Sequence, residues 1–199
     1  MKKESLSRYY DLFEWPLEIL RLKKLRSSII TLAKGKVLEI GAGTGRNLPY
    51  YHKNPNLTLT DISKEMLDIA KGRACKLNIR ADFKVMIAEK LKFKDNTFDY
   101  VIATLVLCSV DEPIKALKEI KRVCKNNGQI ILLEHVRSSN PIIAKLQTRI
   151  KPIFNRYFGC NPDRDTLVCI KKAGLKPNSI KNVWMNDVFK EIRIKNKKS

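Results

Sequence analysis

The chain has 199 residues, of which 44% are apolar and 30% charged, and its formal net charge is +20. This length suits one domain with a single core, and this composition excludes collagen-like, low-complexity and wholly disordered chains. The five cysteines are odd in number, widely scattered and without a CxxC pair. They indicate neither a disulfide framework nor a zinc site, and they favour a reducing, cytoplasmic setting.

Strand patterns alternate with helix patterns along the first two thirds of the chain. Apolar residues at helical spacing predict an amphipathic helix over 17–33, which Gly35 ends. Strands are predicted from 37 to the first glycines, at 57–61, at 82–89 and at 98–110, the last range including a loop. A helix over 64–74 uses Ser63 as its N-cap and presents Met66, Ile69 and Ala70 on one face.

Pro113 opens another helix, and Gly128 is expected to close it before the strand QIILLEHV. Strands alternating with amphipathic helices indicate right-handed crossovers and a parallel sheet covered on both faces. An apolar helical stripe then runs over 142–157, where Pro152 should kink or divide the helix. A helix at 166–174 and strands near 179–184 and 188–194 predict a closing antiparallel hairpin.

The excess positive charge lies in the flanks of the sequence. Residues 37–136 carry sixteen basic and twelve acidic side chains, whereas 137–158 carry five basic and no acidic ones. Residues 171–199 carry nine basic and two acidic side chains. These flanks would meet nucleic acid, an anionic membrane surface or an acidic substrate, and a lysine-rich background composition is the alternative.

A glycine-rich turn follows the first predicted strand in the pattern E-x-G-x-G-x-G, formed by Glu39, Gly41, Gly43 and Gly45. Glycines let the backbone turn tightly and approach a ligand that a Cβ would obstruct. A dinucleotide fingerprint is G-x-G-x-x-G, and Arg46 stands here in place of its third glycine. An acidic residue in the first strand and Asp61 at the end of the second suit a ligand with a cationic end and a ribose diol.

The segments VLEIGAGTG, LTLTDIS, AEKLKF, FDYVIA and NNGQIILLEH resemble those of class I S-adenosylmethionine-dependent methyltransferases, over residues 36–136. The resemblance implies a Rossmann-like α/β fold. Its sheet would have seven mostly parallel strands, helices on both faces and a closing antiparallel hairpin. The chain would form one domain over 1–199. It would comprise a lid and amphipathic helix (1–35), a cofactor-binding core (36–136), a substrate cap (137–170) and a C-terminal helix end and hairpin (171–199).

The same resemblance implies a set of cofactor-binding residues for S-adenosylmethionine. The three glycines would line it, Glu39 would place its ammonium directly or through water, and Asp61 would hold both ribose hydroxyls. The remaining contacts would come from Ile62 and Met66 near the adenine, Ala88 and Glu89 at its edge, Thr104 facing the methionine moiety, and Tyr10. For Tyr10, a lid over the cofactor and ordinary aromatic packing both stay open.

Further motifs resemble those of bacterial phospholipid N-methyltransferases and of methyltransferase-like thiol S-methyltransferases. They are TLVLCSV, LLEHV, the NP at 140–141, and GCN with RDT at 159–166. A third relative is the quinone C-methyltransferases. His135 is the candidate general base, with a merely orienting role as the alternative. Cys108 is interpreted as a small buried hydrophobe, and no metal site is expected.

The resemblance therefore implies an enzyme that methylates a membrane-associated amphiphile, with a phospholipid amine of the phosphatidylethanolamine type as the leading acceptor. Small thiols, quinones and a non-catalytic cofactor- or membrane-binding protein stay open. The chain is expected to be cytoplasmic, with any contact to an anionic membrane being peripheral, because its longest apolar run is too short to cross a bilayer. The stripe at 142–157 would lie in a lipid interface or cap the core. DNA is not expected as a partner, and RNA stays open.

Overall fold

The computed structural model describes residues 21–51 and 56–197. Seven strands form one sheet in the order β3-β2-β1-β4-β5-β7-β6. Their bounds are Lys36–Ile40 (β1), Asn56–Asp61 (β2), Asp82–Val85 (β3), Phe98–Thr104 (β4), Cys124–His135 (β5), Ser179–Trp184 (β6) and Phe189–Lys195 (β7). The pairs from β3 to β5 are parallel, and β7 runs antiparallel to both β5 and β6. The predicted mostly parallel sheet with a closing hairpin is confirmed.

The helices are Lys23–Ile30 (α1), Lys64–Lys76 (α2), Pro113–Val123 (α3), Pro141–Phe158 (α4) and Thr166–Lys172 (α5), with a short 3-10 turn at Leu48–Tyr50. Alternating strand residues divide the core into two clusters, because successive side chains point to opposite faces of a sheet. Leu38 of β1 packs with α3 and α5, whereas Val37 packs with α1 and α2. Within the described residues, no helix is both long and apolar enough to span a bilayer.

The predicted third strand is too long at its carboxyl end, and the predicted fourth strand and its loop divide at a defined residue. β3 ends at Val85 instead of residue 89, because only the Met86 amide still reaches β2, donating to the Asp61 carbonyl at 3.0 Å. β4 ends at Thr104, because Leu105 adopts a left-handed φ of 57° that turns the chain out of the sheet. Loops therefore lie above the carboxyl edge of the sheet after both β3 and β4.

Two helix predictions also need correction, at the end of α3 and on the buried face of α2. α3 ends at Val123, not at Gly128, because Cys124 is already extended and Gly128 lies inside β5. A Cβ on Gly128 would lie 3.0 Å from the Asp99 carbonyl oxygen, so the strands approach too closely there for a side chain. Pro152 lies inside α4 and does not divide it, so a kink at this residue stays a prediction. In α2 the buried face is formed by Leu67, Ala70 and Ala74, while the predicted Met66 and Ile69 are only half-buried.

Candidate cofactor and active site

The carboxyl ends of β1, β2 and β4 meet at one edge of the sheet. β1 lies between β2 and β4, and the chain order of the strands reverses on either side of it. In open parallel sheets of this kind, ligands bind in the crevice outside such a reversal. The loops that leave these three strands therefore define the candidate site.

The glycine-rich loop leaves β1 with a backbone that side chains would not tolerate. Gly41 has a φ of 63°, and a Cβ there would lie 2.4 Å from a methyl group of Val106, in the loop after β4. Gly43 has a φ of 54°, but a Cβ there would meet nothing within 4 Å among the described residues. The main chain at Gly43 therefore faces open space, so a ligand can approach it closely. Gly45 completes the predicted set with a φ of 77°.

Asp61, at the end of β2, holds this loop by its side chain. Its two carboxylate oxygens accept hydrogen bonds from the backbone amides of Gly43 at 2.8 Å and Ser63 at 2.9 Å. Burial raises the pKa of Asp61, although these amide donors pull it down. A carboxylate has about four acceptor positions. The Gly43, Ser63 and Ile62 amides use part of this capacity, and the rest could accept from a ribose hydroxyl, so the residue fits the predicted role.

A buried polar network lies at the carboxyl edge, where α1, β1 and β4 meet. Asn47 donates to the Glu39 carboxylate at 2.9 Å and to the Thr104 hydroxyl at 3.0 Å. Arg26 of α1 donates to the side-chain oxygens of Asn47 and Thr104, both at 3.0 Å. All four side chains are buried. The network therefore links α1 to the segment that carries the glycines and to the end of β4.

The Glu39 carboxyl lies within this network. Burial raises its pKa to about 7, although Tyr51, Asn47 and Arg26 each lower it. Among the described residues, its second oxygen and the Tyr51 hydroxyl are both buried without a hydrogen bond of regular geometry, although Tyr51 is close enough to lower the Glu39 pKa. One acceptor position is thus left for an ammonium group or a bridging water. Two roles stay predictions: that Glu39 places the cofactor ammonium, and that Thr104 faces the methionine moiety.

The residues expected around the adenine follow β2 and β3. Ile62 is exposed, Met66 is half-buried in the first turn of α2, and Ala88 is buried. One Glu89 carboxylate oxygen accepts hydrogen bonds from the amides of Asp111 and Glu112, just before α3. Glu89 therefore has a structural role in the described chain, and its contact with the adenine stays a prediction. Tyr10 lies outside the described residues.

His135, at the carboxyl end of β5, is in contact with two cysteines. Its Nε2 lies 3.1 Å from the Cys160 Sγ, and the nitrogen and both sulfur atoms of Cys108 and Cys160 lie within 4.8 Å of one another. Asn161 donates its backbone and side-chain N–H groups to the Cys108 carbonyl, at 2.9 and 3.1 Å. These bonds hold the loop that carries Cys160 over the loop that carries Cys108.

Contacts within the cluster shift the pKa values of Cys108 and His135. The hydrogen bond from Cys160 lowers the pKa of Cys108, against the effect of burial, and the nearby His135 lowers it further. Burial lowers the pKa of His135, but the charge and hydrogen bond of Cys108 outweigh it, so the pKa is raised overall. Burial also raises the pKa of Glu134, the residue before His135 in β5, to about 8. Cys108 is buried as expected, but it has polar partners that the sequence interpretation did not give it.

Sequence reasoning missed Arg26, Asn47 and the two-cysteine cluster. A signal for Arg26 was present, because it stands between Leu22 and Ile29 on the apolar face of the helix. Asn47 follows the last glycine of the turn by two residues, where a polar side chain can reach back toward β1. No local signal indicated the cluster, because its members are far apart in sequence.

The comparisons with known proteins agree with this geometry. Residues 38–132 match the family model of the methyltransferase domain. A phosphatidylethanolamine N-methyltransferase of Cereibacter sphaeroides is 35% identical over 55% of this chain and 56% of its own. A thiol S-methyltransferase of Rattus norvegicus is 32% identical over 77% of this chain and 64% of its own. The chain thus spans less than two thirds of the length of these two relatives.

Two further comparisons cover more of both chains. A ubiquinone/menaquinone biosynthesis C-methyltransferase of Rickettsia bellii is 31% identical over 85% of this chain and 77% of its own. The crystal structure of a Thermotoga maritima S-adenosylmethionine-dependent methyltransferase superposes with a TM-score of 0.71, at 23% identity, over 96% and 98% of the two chains. The chain belongs to the class I S-adenosylmethionine-dependent methyltransferases. Its cofactor is S-adenosylmethionine.

Proposed function

We propose that this methyltransferase acts on an amphiphile held at an anionic membrane surface, with a phospholipid amine of the phosphatidylethanolamine type as the leading acceptor. The observation that carries the proposal is the outer face of α4. The relatives named above act on phosphatidylethanolamine, thiols and quinone precursors by their names, and they favour no single acceptor.

α4 presents an apolar stripe to solvent. Successive residues of a helix are rotated by about 100° about its axis. At this rotation, five apolar side chains fall within about 80° of the helix circumference, and they are Ile142, Leu146, Ile150, Ile153 and Tyr157. The exposed fractions are 79% for Ile142, 57% for Leu146, 58% for Ile153 and 55% for Tyr157. Ala144 and Gln147 lie on the opposite side and are buried. The side of the helix that carries Ala144 and Gln147 therefore packs on the body, and the stripe faces outward.

The charges beside the stripe favour an anionic partner. Lys145, Arg149 and Arg156 fall along one flank of the stripe at the same helical spacing. No acidic residue occurs between 137 and 158. A helix with an outward apolar face and basic flanks binds in the interface plane of anionic lipid, because apolar burial and charge attraction act together. A core-facing cap helix would instead have buried this stripe.

The chain's part in the reaction is to align the reactants. When bound, S-adenosylmethionine supplies an electrophilic methyl group that is transferred in line to a nucleophile. Asp61 and the glycine-rich loop would hold the cofactor at the carboxyl edge. His135, at the same edge, would accept a proton from the ammonium group of the acceptor. The acceptor would then be a neutral amine, which is nucleophilic. The His135 Nε2 must first leave its contact with Cys160.

The test offers the cofactor with a labelled methyl group and four separate acceptor pools: phosphatidylethanolamine in anionic vesicles, small thiols, isoprenoid quinone precursors, and RNA. The proposal expects label in the lipid, and the labelled lipid should migrate as the N-methylated headgroup. Label in the thiol, quinone or RNA pool, with none in lipid, would overturn it. Cofactor binding without transfer to any pool would instead support a non-catalytic binding protein.

A further inference from the structure

We infer that Cys108, His135 and Cys160 form a binding site for a zinc ion, with three protein ligands and an open fourth position. The inference does not rest on the membrane proposal, but it competes with the base role of His135, because a zinc-bound imidazole nitrogen cannot accept a proton. It starts from the convergence of two thiols and one imidazole nitrogen, all within 4.8 Å of one another. They come from the loop after β4, the end of β5 and the loop after α4.

The donor types select the ion. Thiolate and imidazole are the ligands that Zn²⁺ prefers, and two cysteines with one histidine form the ligand set of a known class of open zinc site. In a tetrahedral zinc site the donor atoms are about 3.5–4 Å apart. The His135 Nε2 and Cys160 Sγ are already 3.1 Å apart. These two atoms would move apart by about 0.5 Å, and all three donor atoms lie within 4.8 Å of one another, so side-chain adjustments would be needed to reach that geometry.

The scaffold around the cluster is built from specific hydrogen bonds. Arg164 donates to the carbonyls of Leu107 and Val110 at 2.9 and 2.6 Å, and Asn161 donates to that of Cys108. The two loops that carry the thiols are therefore fixed to each other from both sides of Cys108. Fixed positions lower the cost of assembling a metal site, because fewer side chains lose freedom on binding.

Charge balance supports a divalent ion. Binding releases one proton from each thiol, and Zn²⁺ with two thiolates and a neutral imidazole carries no net charge. A neutral centre suits a buried place, where an unpaired charge would be costly. A disulfide between Cys108 and Cys160 would use the two sulfur atoms but would give no role to the imidazole that contacts them.

The first experiment titrates the full chain with Co²⁺, after purification in reducing buffer and removal of metals with a chelator. We expect one equivalent to bind with a thiolate-to-cobalt charge-transfer band, and Zn²⁺ to displace it. Cys108→Ser and Cys160→Ser should each lower the affinity by more than about 100-fold. Cys124→Ser is the matched control, since it removes a buried thiol outside the cluster, and it should keep the band.

The second measurement needs no variant, so it holds even if a serine substitution prevents folding. X-ray absorption of the zinc-loaded wild-type chain should show two sulfur ligands and at least one imidazole nitrogen. Oxygen and nitrogen ligands alone would overturn the inference, as would an unchanged cobalt band in both serine variants. Absence of any metal binding by the folded, reduced chain would also overturn it.

Discussion

The Asp61 carboxylate connects β2 to the glycine-rich loop through the Gly43 amide. Its remaining acceptor capacity is predicted to hold the ribose of the cofactor. Asp61→Asn keeps the size but replaces one acceptor oxygen with a donor. Hydrogen bonds to charged groups contribute about 1.5–3 kcal/mol each, so the Kd for S-adenosylhomocysteine should rise by about tenfold or more.

Titration calorimetry measures this Kd directly. Asp82→Asn is the control, because that residue is exposed at the start of the neighbouring β3. The control should bind with wild-type affinity. Equal affinity in Asp61→Asn and wild type, with both chains folded, would remove Asp61 from the cofactor site.

Glu39 makes folding stability depend on pH. Its pKa rises from 4.5 to about 7 on burial, so the folded chain binds more protons than the unfolded chain within that window. The free energy of unfolding should therefore fall as pH increases from 4.5 to about 7. Glu39→Gln can still accept from Asn47 but cannot ionise, so its stability should decline less steeply.

Denaturant unfolding at several pH values, without cofactor, checks this difference. Glu65→Gln, an exposed site in the first turn of α2, serves as the control and should follow the wild-type slope through the window. Parallel profiles for wild type and Glu39→Gln would show that the buried carboxyl ionises normally.

At the scale of single elements, α1 contributes to the site through one buried cation. Arg26 is 4% exposed and donates to Asn47 and Thr104. Arg26→Ala would leave these buried partners and the Glu39 carboxyl without their cation. Removing one member of a buried charged network costs about 3–5 kcal/mol, so thermal or denaturant unfolding should show a loss of that size.

Lys24→Ala removes a cation from the exposed side of the same helix. It should change the free energy of unfolding by less than about 0.5 kcal/mol. If Arg26→Ala is no more destabilising than Lys24→Ala, the network does not couple α1 to the carboxyl edge.

α4 is the element that carries the membrane proposal. The double substitution Leu146→Glu and Ile153→Glu places two charges in its exposed stripe. Burial of each apolar side chain stabilises an interface by about 1.5–3 kcal/mol, so binding to anionic vesicles should weaken by at least about tenfold. Cosedimentation measures the bound fraction.

Ile180→Glu is the matched control, because Ile180 is an exposed apolar residue on β6, the edge strand of the sheet. It should sediment like wild type. Equal loss of binding in both variants would show that general charge, and not the stripe, governs adsorption. Absence of wild-type binding at low salt would contradict the membrane role of α4.

At the scale of the whole molecule, sequence reasoning predicted the sheet and its glycine-rich turn because both have local causes. Apolar runs of strand length, helical spacing and positive-φ glycines are visible in short segments. The failures occurred where tertiary contacts decide the local structure. β3 stops at Val85 because the chain leaves β2, and α3 stops at Val123 because the next residues join β5.

The candidate site divides in the same way. Glu39, the glycines and Asp61 are close in sequence to the strand ends that position them. Cys108, His135 and Cys160 become neighbours only because β4 and β5 pair and the loop after α4 folds back over them. The spacing of these three residues along the chain does not indicate that contact. The outward direction of the α4 stripe likewise depends on which side of the helix packs.

The measurement that tests the account most directly is the initial rate of methyl transfer to phosphatidylethanolamine in two kinds of vesicle. One kind contains anionic lipid and the other is zwitterionic, with the same phosphatidylethanolamine content, cofactor and low-salt buffer. We predict a rate about tenfold higher on the anionic vesicles and a loss of that difference in high salt, where surface charge is screened. Equal rates on both kinds, or no transfer to lipid by a chain that binds the cofactor, would contradict the account.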